Sequence, residues 1–90
     1  MIEQELLRIE ELANAARSGP WKSYIEGRDY ESGSDFIMIG EGNSRHDDDL
    51  ELHGATHADQ DFIASARQDI PALLNEIKRL RRELRAFNNA

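Results

Sequence analysis

The stretch from Asp59 to Phe87 constrains the fold of this chain more than any other. Ile70, Leu73, Ile77, Leu80, Leu84 and Phe87 recur at spacings of 3, 4, 3, 4 and 3 residues, the a/d seam of a heptad repeat. Leu74 widens the stripe toward the broader face of a helix packed on a core. The seam formed by Ile70, Leu73, Ile77, Leu80 and Leu84 is therefore expected to serve as core or as an oligomer contact. Lys78, Arg79, Arg81, Arg82 and Arg85 lie between the apolar positions. They suit a solvated helix face and the negative end of the helix dipole. Pro71 falls inside the pattern, where its ring would clash with the carbonyl of Arg67. The spacing predicts a break there, giving helices over 57–67 and 70–87 with Asp69 as a new N-cap. A single kinked helix is the alternative.

Upstream, Ile2, Leu6, Ile9, Ala13 and Ala16 predict a helix over 2–17, with Glu3 and Glu5 in its first turn and Arg17 in its last. Ser18-Gly19-Pro20 is a stop signal. Trp21 follows, placed either to plug the core or to stack on a ligand. A sheet is expected over about 21–53. Its strands are Lys22–Arg28, Phe36–Ile39 and Asp49–His53, the last alternating so that Leu50 and Leu52 face inward. Phe36-Ile37-Met38-Ile39 is apolar on both faces, which reads as a strand covered on both sides. A second helix layer or another subunit would supply the cover, and this favours an oligomer. Thr56 and Asp59 resemble a capping box for the next helix. The expected fold is thus a single α+β domain over 1–90: an N-terminal helix, a three-stranded antiparallel sheet and two C-terminal helices, in the order α-β-β-β-α-α.

Composition narrows the function classes. The 90 residues carry a net charge of −7, yet Glu76–Arg85 holds five basic and two acidic residues. That segment is +3, leaving −10 elsewhere. An acidic body with one basic tip disfavours general duplex DNA binding. It suits head-to-tail contacts, or an acidic surface offered to a basic partner. The chain has no cysteine, so disulfides and thiolate metal sites are excluded. No apolar run reaches the ~20 residues of a membrane span, and MIEQELLRIEEL has the wrong charges for a signal peptide. The expected location is the cytoplasm.

Three segments look familiar. Ala16-Arg17-Ser18-Gly19-Pro20-Trp21 resembles an A-x-x-G-P-W signature. Ala58-Asp59-Gln60-Asp61-Phe62-Ile63-Ala64 resembles A-D-A-x-F-I-A. Ala66-Arg67-Gln68-Asp69-Ile70-Pro71-Ala72-Leu73-Leu74 resembles A-R-x-D-[IV]-P-x-L-L. Together they resemble the Ead-type family of small, largely uncharacterised proteins of phages and prophages. The resemblance spans most of the chain and implies a phage setting, so that the cytoplasm would be the host's. It implies no mechanism. Accessory phage proteins of this size commonly act on host defence or regulation by binding, which is an analogy of context.

Chemical motifs are sparse. His46, Asp47, Asp48, Asp49, His53 and His57 are the densest potential metal ligands, but His53 and His57 straddle an element boundary. A calcium loop starting at Asp47 would need Gly where Leu52 stands and Glu where Ala58 stands. Gly40-Glu41-Gly42 lacks the lysine of a phosphate loop. No nucleophile triad is spaced for. The chain is read as a non-enzyme without cofactor or metal. Thr56, Asp59 and Asp69 are read as helix caps, with Arg17 or Arg67 paired to a nearby acid. A sharper expectation brings Arg17, Trp21 and Arg67 together as an intersubunit ligand site, two guanidinium groups for phosphates and an indole for a base. The expected function is then a phage accessory protein acting by binding, possible counter-defence by sequestering a nucleotide signal. The alternatives are an inhibitor of a host protein through the acidic surface of Asp47, Asp48, Asp49 and Glu51, and a purely structural oligomerisation module.

Overall fold

The computed structural model describes residues 1–45 and 48–89. Its elements are α1 (Glu3–Ala15), β1 (Trp21–Tyr24), β2 (Phe36–Ile39), a 3-10 turn at Gly42–Ser44, and α2 (His57–Asn88). Two strands and one long C-terminal helix replace the expected three strands and two C-terminal helices. The molecule is elongated, 59 × 28 × 20 Å, with a radius of gyration of 17.0 Å. A compact chain of this length would have about 12 Å. The cause is α2, whose 32 residues span about 48 Å at 1.5 Å per residue. No helix of the described residues is long and apolar enough to cross a membrane.

The helix ends follow local chemistry. Glu5 at the start of α1 accepts the Ile2 N–H at 3.0 Å. At the start of α2, Thr56 Oγ1 accepts the Asp59 N–H and Asp59 Oδ2 accepts the Thr56 N–H, both at 3.0 Å. This is a reciprocal capping box with Asp in the usual Glu position.

The break at Pro71 does not occur. α2 runs through Pro71, and Asp69 is an exposed residue inside it rather than a cap. A proline there forfeits one backbone bond and collides with the preceding turn. What offsets the loss is α1, which lies antiparallel to α2 across the proline. Arg67, one turn before it, donates to the Ala13 carbonyl at 2.5 Å. Beyond it, Lys78 pairs with Glu10 and Arg81 with Glu3, and Arg81 also donates to the Met1 carbonyl at 2.5 Å. Leu6 of α1 and Leu74 of α2 are buried where the helices meet.

The expected third strand, Asp49–His53, is reduced to one antiparallel bridge, with bonds of 2.8 and 2.9 Å between Ile37 and Leu50. β1 and β2 pair antiparallel with Tyr24 opposite Phe36 and Trp21 opposite Ile39. Backbone groups alternate in direction along a strand, so four-residue β2 offers a third strand only Ile37 and Ile39. Gly40 then turns the chain at φ +75°, and a Cβ there would lie 2.1 Å from the Ser44 carbonyl oxygen. Only glycine fits this turn, and the ladder cannot continue past it. Leu50 and Leu52 still pack on the core of Ile37, Ile39 and Ala64. The first strand is also shorter than expected. It stops at Tyr24, and Ile25 accepts from the N–H groups of Arg28 and Asp29 in a tight turn.

On the second face of β2, Phe36 stacks on Tyr24 at 5.1 Å and meets the edge of Tyr30 at 5.7 Å, while Phe36 and Met38 both stay part-exposed.

A helix uninterrupted at Pro71 carries a direct prediction. Pro71→Ala restores the missing bond and should raise unfolding free energy by about 1–3 kcal/mol, measured by urea denaturation. A helix break capped by Asp69 would give no gain.

Candidate functional site

α2 presents three faces: one meets the sheet, one meets α1 and one is open. The first faces the sheet through Gln60, Ala64 and Gln68, spaced one turn apart. Gln60, 3% exposed, donates its amide to Ser23 Oγ at 2.9 Å and to the carbonyls of Phe36 and Tyr24 at 3.1 and 3.2 Å. Gln68 accepts the Trp21 N–H at 2.8 Å and donates to the Trp21 carbonyl at 3.2 Å. A carboxamide has the same donor and acceptor as a peptide group, so Gln68 satisfies the outer edge of β1 as a neighbouring strand would. Sequence reasoning missed both glutamines. The available signal was a polar-small-polar stripe at i, i+4 and i+8.

A charged clamp adds to this face. Arg28 grips Asp61 with two bonds, 2.7 and 3.0 Å, and reaches Asp29 at 2.9 Å. The hydrogen bonds from Arg28 lower the Asp61 pKa to about 2, with a bond to Ser23 as the next cause. Asp29 is also lowered, by its bonds from Arg28 and from the Ile25 N–H, and Arg28 is raised by the same pairing. Arg28, and not Arg17 or Arg67, is thus the partner of Asp61.

The second face meets α1. Here the structure brings Arg17, Trp21 and Arg67 close together, but each is engaged. Arg67 holds the Ala13 carbonyl, one of the carbonyls that the last turn of α1 leaves free. Arg17 lies beyond α1 and donates to the Asp48 carbonyl at 3.1 Å. The Trp21 indole N–H donates to the Arg17 carbonyl at 3.1 Å. Trp21 packs on the core and also lines a groove. The cation at the end of α1 is therefore Arg67 from α2, where Arg17 was expected.

The third face is the heptad seam, and it is open. Ile70, Leu73, Leu80, Leu84 and Phe87 are exposed, Leu84 by 60% and Phe87 by 78%, while Ile77 is half-buried. The seam extends back to Ile63 and Ala66. Between it and α1 runs a groove of about 300 Å³, lined by Ile9, Leu12, Trp21, Ile63, Ile70 and Pro71 among others. The apolar surface continues along both helices toward Met1 and Ile77.

The acidic surface is less coherent. Asp49 pairs with Arg45 at 3.2 Å, Asp48 and Glu51 are exposed, and Asp47 and His46 lie outside the described residues. His57 meets Asp35 at 3.2 Å. Among the described residues no three His, Cys, Asp or Glu side chains gather as a metal set. Comparison with family models, curated proteins and solved structures found no match.

The clamp at Asp61 predicts acid sensitivity. Its folded pKa lies below the unfolded value of about 3.9. Its contribution is therefore complete above about pH 4 and is lost as pH falls toward about 2. Melting temperature should fall more steeply between pH 4 and 2 in the wild type than in Asp61→Asn. Parallel curves would show that Asp61 holds no depressed pKa.

Proposed function

We propose that this chain is a small phage accessory protein that acts by binding rather than catalysis, with the open seam of α2 as its working surface and a second copy as its first partner. The observation that carries the reading is the exposure of five of the six seam residues on a 32-residue helix. Ile63, Ile70, Leu73, Leu80, Leu84, Phe87 and the neighbouring Leu12 of α1 are each between 37% and 78% exposed. Monomeric proteins rarely leave so many large apolar side chains in one continuous strip. Resemblance to Ead-type proteins supports the phage setting.

The side chains lend less to nucleotide sequestration. Guanidinium groups grip phosphates with paired N–H groups, and Arg17 and Arg67 each already give one N–H to a backbone carbonyl of the same chain. The groove beside Trp21 is apolar and would receive aliphatic side chains in preference to a charged ligand.

Sedimentation equilibrium tests the proposal. The wild type should show an oligomer mass at micromolar concentration. Leu80→Asp should shift the protein to monomer with its helix content retained, because Leu80 is 49% exposed in the single chain. A buried unpaired carboxylate costs about 3 kcal/mol or more, so association should weaken by on the order of 100-fold. A monomeric wild type would end this reading.

A further inference from the structure

Which way the second copy runs can be argued from three gradients along α2, resting on the self-association reading above. The first is width. The exposed apolar strip is two helices broad, because Ile9 and Leu12 of α1 line the same groove as Ile63 and Ile70 of α2. A copy packed in the same direction about a two-fold parallel to α2 covers the α2 seam and leaves the two α1 helices on opposite sides. A two-fold perpendicular to α2 lays α2 on α2 and α1 on α1, and closes both grooves into one core.

The second gradient is side-chain size. The smallest residue of the seam, Ala66, lies near its start, and the largest, Phe87, at its end. Reversed copies pair Ala66 with Leu84, Ile63 with Phe87, Ile70 with Leu80 and Leu73 with Ile77. Ala66 then meets the larger Leu84 and Phe87 meets the smaller Ile63, so neither the smallest nor the largest side chain of the seam faces its own kind, which close packing favours. Copies in the same direction would stack Ala66 on Ala66 and Phe87 on Phe87.

The third gradient is charge. The first part of α2 carries Asp59 and Asp69 against Arg67, with Asp61 already held by Arg28. Glu76–Arg85 is net +3, with Lys78 and Arg81 paired to α1 and Arg82 and Arg85 left to set the sign of its outer end. Reversal sets the basic end of one copy beside the acidic half of the other, and alignment would set like beside like. The helix dipoles also oppose each other in the reversed arrangement.

We propose that two copies pair with their α2 helices antiparallel and their α1 helices in mutual contact, as a two-fold four-helix bundle with the sheets at its outer corners. α1 then has two roles: it holds α2 across Pro71, and it supplies half of the interface.

The chain has no cysteine, so Asn88→Cys accepts a single spin label at the exposed end of α2. In the reversed register Asn88 of one copy lies opposite residue 62 of the other. The two labels should then be about 40 Å apart, 26 residues of helix at ~1.5 Å each, read by double electron–electron resonance. A distance under about 20 Å would mean parallel pairing. It would overturn the antiparallel bundle and leave self-association standing. Leu12→Glu, at a site 63% exposed in one chain, should lower the oligomer mass to monomer without loss of helix content. An unchanged mass would likewise overturn the α1 contact. Monomeric wild type in the same sample would instead remove the self-association on which both rest.

Discussion

A proline in the middle of the longest helix is the constraint on which the rest of this structure depends. α2 can be continuous only if its halves are held from outside, since the turn at Pro71 lacks one of its own bonds. The sheet grips the first half through Gln60, Ala64 and Gln68. α1 grips both sides of the proline, through Arg67 before it and Lys78 and Arg81 after it. The three pieces are thus mutually required. Without α1 the helix would divide, and without α2 a two-stranded sheet would have no core to face.

The buried part of the molecule is correspondingly small. Ile25, Ile37 and Ile39 are the fully buried large side chains, joined by Ala64, Leu6, Leu74 and the amide of Gln60. A short chain gains little from a core of this size. The polar bonds between α2 and the strands then matter more, because a buried carboxamide with all its partners fixes one register. The remaining apolar surface lies along the outside of the helical pair, where it can be buried only by something further.

Much of this was legible in the sequence. The first helix, its stop, the surest strand, the capping box at Thr56 and the seam were all written as spacings. The two errors share a cause. Pro71 was judged by local preference, and Asp49–His53 by local alternation, while tertiary contacts decided both. α1 restored continuity at Pro71. At the third strand, four-residue β2 offered too few outward backbone groups, and the turn at Gly40 closed off the rest. Arg17, Trp21 and Arg67 lie near one another, and each gives one N–H to a backbone carbonyl of the same chain. Spacing reports which residues share a face; it does not report which carbonyls a guanidinium will find.

The bond pair between Gln68 and Trp21 has a consequence for how this protein can meet others. A two-stranded sheet ordinarily shows two open edges, each a template for strands from other chains. Here a side-chain amide closes one edge at Trp21, and Leu50 closes the other at Ile37. Strand addition is blocked at both positions. Contact with another molecule is thereby steered toward side-chain packing on the helices, where geometry and charge can select a partner, and away from backbone pairing, which would accept almost any extended chain.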